Sequence, residues 1–191
     1  MSGDLRRLAA AADPPHQLQG LRARLAGALS SLPLLIRQAG GASDSAQMNA
    51  LRSALARDDW KTLRAGLEGL LKHHPLDLGG ILPVAATPQR LALGAAIHRQ
   101  ACAACHDHPS AQAQLPAHDL FKQAIDMPPE EFAARLLNGV RGDPSTGQRN
   151  PFGALEIGAL IAYYRCGADR IAVHRAQGSN GAMKDCEGRA P

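Results

Sequence analysis

The residues best suited to chemistry lie together in the middle of the chain, in the sequence Cys102-Ala103-Ala104-Cys105-His106. Two residues separate the two thiols, and an imidazole follows the second thiol directly. On a helical turn, this spacing lets both sulfurs reach the two vinyl groups on one edge of a porphyrin, while the imidazole projects beneath the iron. The motif therefore predicts one covalently attached haem, bonded to Cys102 and Cys105, with His106 as an axial iron ligand.

The motif also has three other interpretations. A redox-active CxxC of the thioredoxin type requires a βαβ setting. A structural zinc site requires two further ligands at similar spacing, and Cys166 and Cys186 are too far apart in sequence to form a second CxxC pair. The third interpretation is a chance match.

The elements that position this motif are predicted to be helices. Val, Ile and Thr are scarce and aromatic residues make up only 3% of the chain, whereas strands favour β-branched and aromatic side chains. The predicted fold class is therefore all-α. A core of this size usually contains more large rings, and a bound cofactor could supply the missing apolar volume.

The charge balance makes some classes of partner poor candidates. The chain has 21 Lys and Arg residues against 17 Asp and Glu residues, and the basic residues are scattered without interleaved aromatic residues. Nucleic acid is therefore not an expected partner. No apolar run approaches the ~20 residues that span a bilayer, so no membrane span is predicted.

The first half of the chain is predicted to form a helical bundle or hairpin over residues 16–74, because apolar residues recur there at steps of three and four. The stripe comprises Leu18, Leu21, Leu25, Leu29, Leu32 and Ile36, then Met48, Leu51 and Leu55, then Trp60, Leu63, Leu67 and Leu70. These side chains are expected to form a core. The alternative is that they dock a partner or a second copy of the chain.

Changes in composition predict the other domain limits. Residues 1–15 are expected to be disordered or a non-native extension, and residues 75–87, which are rich in Pro and Gly, a linker. Residues 88–167 are expected to form the domain that carries the motif, and residues 168–191 an irregular tail. In an oxidising compartment, Cys166 and Cys186 are expected to form a disulfide.

The segments that flank the motif resemble the class I cytochrome c family over roughly residues 88–166. The matching segments are Leu93-Gly94-Ala95-Ala96-Ile97 before the motif, then Leu115-Pro116-Ala117, Leu137-Asn138-Gly139 and Leu160-Ile161-Ala162-Tyr163. The resemblance implies a helical haem domain in which the Pro116 carbonyl holds the proximal His106. The N-terminal helical region lies outside the resemblance.

The chain departs from the family at the second axial ligand. Where the family places a Met-Pro pair before its last helix, this chain has Asn150, followed by a Pro and by Phe152. Asn150 is expected either to ligate the iron weakly or to donate a hydrogen bond beside a five-coordinate iron.

A side chain from elsewhere is the other possibility for the second axial ligand. Met127, which forms a Met-Pro pair of its own, is the strongest chemical alternative because thioether is an established haem ligand. The further candidates are His118, Met48, His73 and His74. His98 is expected to lie at the surface.

These observations predict a periplasmic electron carrier and not an enzyme, with other proteins as redox partners. The alternatives are a haem that binds a diatomic gas (NO, CO or O₂) at the position lacking Met, and a haem subunit of a larger oxidoreductase. Arg6 and Arg7 are not followed by the apolar run of a secretory signal. Because bacterial covalent haem is attached outside the cytoplasm, we expect that a native leader has been removed.

Overall fold

The computed structural model describes residues 1–110, 112–113, 116–139 and 150–176, and only the backbone of residues 168–176. All regular secondary structure in these ranges is helical, which confirms the all-α prediction. The helices are α1 (Ser2–Ala10), α2 (Pro15–Gln38), α3 (Ser45–Ala56), α4 (Trp60–His73), α5 (Pro88–Ile97), a π-helical turn (His98–Cys102), α6 (Ala103–His106), α7 (Leu120–Asp126), α8 (Pro129–Asn138) and α9 (Ala154–Ala176). Within this part of the chain, no helix is both long and apolar enough to cross a bilayer.

The chain divides into two compact units, each with its own hydrophobic core. The first comprises residues 1–76 together with 112–113 and 116, and the second contains α5 to α9. In the first unit, Leu21, Leu25 and Leu29 on α2 are almost completely buried. The apolar stripe of the sequence thus packs into the core of a small helical bundle.

The N-terminus differs from its prediction. Residues 1–15 were expected to be disordered or non-native, whereas Ser2–Ala10 forms a helix that buries Leu5 and Leu8 in the first core. The two leucines lie three residues apart and so share one helix face. Asp4 is also buried, and its carboxylate pairs with Arg24 at 2.6 Å. Apolar burial and this ion pair together hold α1 on α2.

The second unit is built around the crossing of α5 and α9. Gly94 on α5 makes this crossing possible, because a Cβ atom at this position would lie 2.3 Å from the carbonyl oxygen of Ala159. Phe132 on α8 and Tyr164 on α9 fill the core beside it. The crossing fixes the direction in which α5 leads into the CxxCH motif.

Two segments next to this unit are more ordered than their patterns indicate. The predicted linker, residues 75–87, contains Ile81, which is buried in the second core, and Leu82 packs against the same core. The predicted tail begins at residue 168, whereas the backbone of α9 remains helical to Ala176.

Candidate haem-attachment site

The CxxCH motif spans a junction between two kinds of helix. Cys102 ends the π-helical turn, and Cys105 and His106 lie in the short helix α6 that follows. Both cysteines are free thiols; Cys102 packs against the second core and Cys105 is exposed. The motif therefore presents two thiols, one anchored and one open, together with an imidazole.

His106 is held in one tautomer by the main chain. Its Nδ1 lies 2.6 Å from the carbonyl oxygen of His118, which can only accept a hydrogen bond, so Nδ1 carries the proton. The lone pair of Nε2 is then available for a metal, as in metal-binding histidines whose other nitrogen donates to a carbonyl. The acceptor differs from the predicted Pro116 carbonyl by two residues, because the loop brings His118 to the ring.

Cys102, Cys105 and His106 are better arranged for haem attachment than for a zinc site or a thioredoxin-like redox site. Within the described ranges, no group of three or more His, Cys, Asp or Glu residues is arranged to hold a metal ion by itself, as structural zinc would require. The same ranges contain helices and no strand, so the βαβ setting of a thioredoxin-like motif is missing. Two free thiols beside an imidazole with an available Nε2 are the groups that covalent haem attachment needs.

Cys102 differs from Cys105 in its electrostatic environment. Burial raises the pKa of the Cys102 thiol, and a hydrogen bond with the Tyr164 hydroxyl opposes that rise. Burial also raises the pKa of Tyr164, and the bond to Cys102 adds to the effect. Both groups therefore keep their protons at neutral pH.

Two residues of this environment were not identified from the sequence. His98, predicted to lie at the surface, is only 5% exposed, and its Nδ1 lies 3.0 Å from the Tyr164 hydroxyl. A signal for its burial was present, since His98 lies one turn after Gly94 and one turn before Cys102 on the same helical face. Tyr164 is adjacent to the Tyr163 of the family pattern and is the more buried of the two.

The two leading distal candidates, Asn150 and Met127, lie in the same unit as His106, whereas Met48, His73 and His74 belong to the first unit. Asn150 donates its side-chain Nδ2 to the carbonyl oxygen of Leu136 at 2.6 Å, which ties the segment before α9 to the end of α8. Met127 follows α7 and is partly buried against the second core, and Phe152 packs there as well. The choice of axial ligand between Asn150 and Met127 stays a prediction.

Cys166, near the middle of α9, is buried and disulfide-bonded. Its predicted partner Cys186 lies outside the described residues, so the identity of the pair stays a prediction.

The comparisons with known proteins concern the second unit. Residues 89–163 match the family model described as cytochrome c oxidase, cbb3-type, subunit III. No curated protein sequence and no solved structure matches the chain. The matched segment begins in α5, contains the CxxCH motif and ends within α9, and it leaves out residues 1–76. The match and the arrangement of the motif together support a c-type cytochrome domain at residues 89–163, which implies covalently bound haem c, electron transfer and redox partners.

Proposed function

We propose that this protein is a periplasmic monohaem cytochrome that passes single electrons between partner proteins. The observation that carries the proposal is the hydrogen bond from His106 Nδ1 to the His118 carbonyl, beside two free thiols at the required spacing. When bound, haem supplies the one-electron redox chemistry. Cys102 and Cys105 would hold it covalently, and His106 would bind the iron through Nε2.

The cysteine count supports the proposal of a single haem. The chain has four cysteines, and Cys166 is already disulfide-bonded, so the sequence offers one CxxCH motif. The test is a reductive titration of the purified holoprotein, monitored by its absorption spectrum. The electrons taken up and the haem content are each divided by the protein concentration. We expect one haem and one electron for each chain. A ratio of two, or electron uptake without a haem signal, would contradict the proposal.

The periplasmic location rests on the chemistry of attachment, because bacterial cells add covalent haem outside the cytoplasm. Cell fractionation of the native host, followed by detection of haem that remains on the denatured chain, tests the location. The covalently modified chain is expected in the periplasmic fraction. Its recovery in the cytoplasm would overturn this part of the proposal.

Gas binding is a second candidate function, favoured by Asn150. The contact with Leu136 commits one amide N–H of Asn150, and the amide oxygen is a much weaker ligand for ferrous iron than a thioether. An iron without a strong second ligand would take up CO or NO. Rapid CO binding to the ferrous protein would support this function, and a spectrum unchanged under CO would exclude it.

A role as a subunit is a third candidate, favoured by two observations. The matched family is described as subunit III of an oxidase. The first unit lies outside the match and exposes Leu34, Leu35 and Leu71, each by about half of its surface. We propose that this unit docks on another subunit. Co-purification that is lost when all three leucines are replaced by Ser, with haem content unchanged, would support docking.

A further inference from the structure

The charge of the chain is divided unequally along its length. Residues 1–76 carry 10 Lys and Arg residues against 6 Asp and Glu residues, so they account for the whole formal charge of +4. Residues 77–191 carry 11 of each and are neutral by the same count. The family match and the CxxCH motif belong to this neutral part. The excess of basic residues in the first unit therefore lies outside the haem domain.

Helix α4 presents an exposed basic face. Lys61, Arg64 and Lys72 are all exposed, and their spacings of three and eight residues place them on one side of the helix, over about 16 Å of its length. Leu71, which is 57% exposed, lies on the same side. Glu68 is the acidic residue of this face. The face is thus basic on balance and carries an exposed apolar side chain.

The acidic groups at the start of α4 are already engaged. Asp58 pairs with Arg22, and Asp59 caps the helix by accepting a hydrogen bond from the backbone nitrogen of Thr62 at 3.0 Å. In the part of the chain that the structure describes, no carboxylate forms an ion pair with the three cations of the α4 face. Those cations can therefore pair with the carboxylates of another molecule.

Trp60, the one tryptophan of the chain, begins α4 and borders two clefts. The first cleft, of about 470 Å³, is lined mainly by apolar side chains that include Leu8 and Leu18. The second cleft, of about 370 Å³, is lined by Lys61 and Arg64 among others. An apolar cleft next to a basic cleft suits a segment that carries an apolar side chain next to carboxylates.

The ring of Trp60 is held in position before any partner binds. The guanidinium carbon of Arg22 lies 5.5 Å from the centroid of the ring, and Arg22 Nη1 donates to the Leu55 carbonyl oxygen at 2.9 Å. The indole also packs against the first core. A side chain that is already fixed loses less entropy on binding, and tryptophan is a residue type that often dominates the energy of an interface. Trp60 is therefore suited to anchor a partner.

We infer that the exposed side of α4 from Trp60 to Lys72, together with the two clefts, docks an acidic segment of a partner protein in which carboxylates flank a large apolar side chain. The inference rests on the proposed role of the first unit as a docking element, and it names the chemistry of the partner. Carboxylates would pair with Lys61 and Arg64, and the apolar side chain would enter the first cleft. The concave clefts favour a protein segment over an anionic membrane, because side chains fill clefts and a bilayer surface does not.

The first measurement identifies the partner by photo-cross-linking. Benzoylphenylalanine replaces Ala65, an exposed and uncharged residue of the α4 face, in the full chain expressed in its native host. Mass spectrometry then identifies the cross-linked segment. We expect a segment of another protein in which acidic residues outnumber basic ones beside a large apolar residue. The same group at Ser53, an exposed position on α3, provides the control and should not cross-link to that segment. No cross-link from position 65, or one to a basic segment or to a second copy of this chain, would overturn the inference.

The second measurement uses the single tryptophan. Holoprotein labelled with 5-fluorotryptophan gives one fluorine resonance in NMR, that of Trp60. Addition of the purified partner should shift this resonance, because the partner is expected to contact the ring. An unshifted resonance in the saturated complex would place the partner elsewhere on the chain and overturn the inference.

The third measurement compares two substitutions that change the net charge equally. Arg64→Glu should weaken binding of the purified partner about tenfold or more, whereas Arg37→Glu, at an exposed position on α2, should weaken it less than about twofold. Melting temperatures of both holoproteins are expected to match the wild type, since both side chains are exposed. Equal weakening by the two substitutions would show only a general attraction between opposite charges and overturn the inference. Binding to phosphatidylglycerol vesicles that is lost in Arg64→Glu would assign the face to a membrane and overturn it as well.

The outcomes separate the inference from the proposal on which it rests. A partner that co-purifies equally well with the wild type and with Arg64→Glu, and leaves the Trp60 resonance unshifted, would overturn the inference and leave docking by the first unit intact. A wild-type holoprotein that co-purifies with no other protein would overturn the proposed docking and, with it, the inference.

Discussion

Nδ1 of His106 and the carbonyl oxygen of His118 lie 2.6 Å apart, although twelve residues separate them in sequence. The contact uses the main chain of His118, so the side chain of that residue is not needed to hold His106. This distinction matters because His118 was also a candidate for the second axial ligand. The structure gives His118 a role beside the His106 ring through its carbonyl group.

The first prediction follows from that contact. His118→Ala keeps the carbonyl and should leave the absorption and electron paramagnetic resonance spectra of the holoprotein unchanged, whereas His106→Ala should change both by removing an axial nitrogen. The exposed His108 provides a control, since His108→Ala should behave as the wild type. Loss of an axial nitrogen signal in His118→Ala would show that its side chain binds the iron.

The second prediction concerns Asn150. With Asn150 as the residue at the second axial position, the ferrous haem should be high-spin, or become so readily, and bind CO. Asn150→Met should raise the reduction potential and block CO, because thioether ligation stabilises the ferrous state. Potentiometry and CO difference spectra measure these changes.

If Met127 is the second axial ligand, the same measurements should give the opposite results. Asn150→Ala would then change little, and Met127→Ala would open the iron to CO. A ferrous wild type that stays low-spin and ignores CO, and that loses both properties only in Met127→Ala, would assign the ligand to Met127.

The third prediction concerns the crossing of α5 and α9. A methyl group at Gly94 would lie 2.3 Å from the Ala159 carbonyl oxygen and 2.6 Å from Tyr163 Cβ. Gly94→Ala should therefore destabilise the protein by about 1–3 kcal/mol, a typical effect of overpacking. Chemical denaturation of the holoprotein measures the free energy of unfolding.

Gly158 on α9 provides the matched control for Gly94. Its nearest neighbours to a new Cβ lie at 3.6 Å, an ordinary contact distance. Gly158→Ala should be neutral or stabilise by up to about 1 kcal/mol, as expected for Ala in a helix. Equal destabilisation by both substitutions would contradict the importance of the close crossing.

Some of this structure follows from sequence pattern alone. The scarcity of β-branched and aromatic residues predicted an all-α fold, and the spacing of Leu21, Leu25 and Leu29 predicted the buried face of α2. The CxxCH spacing places its three reactive side chains by local geometry. These features were accessible because each depends on residues within a few helical turns.

Other features depend on contacts between residues that are far apart in sequence, which a local pattern does not reveal. His98 is polar and sits beside Arg99, and the hydroxyl that satisfies its buried ring, that of Tyr164, lies 66 residues away in sequence. The choice of His118 over Pro116 as the acceptor depends on the path of a loop. Helix α1 was missed because two leucines are a weak pattern, and its contact with α2 includes the long-range Asp4–Arg24 pair.

The fourth prediction concerns the end of α9. Cys166 is disulfide-bonded, and we expect Cys186 as its partner. The bridge would close a loop of about 20 residues and stabilise the protein by roughly 3 kcal/mol in the chain-entropy model. After unfolding without a reductant, alkylation should label neither cysteine, and after reduction it should label both. Labelling of both cysteines in the unreduced protein would show that they form no disulfide.

The most direct test of the central claim asks whether haem is bonded to Cys102 and Cys105. Acid-acetone extraction followed by mass spectrometry of the intact chain should leave the haem on the protein, with the mass of one haem added to that of the polypeptide. Cys102→Ala and Cys105→Ala should each keep at most one thioether. Complete extraction of haem from the wild type, leaving a chain at its unmodified mass, would contradict the account.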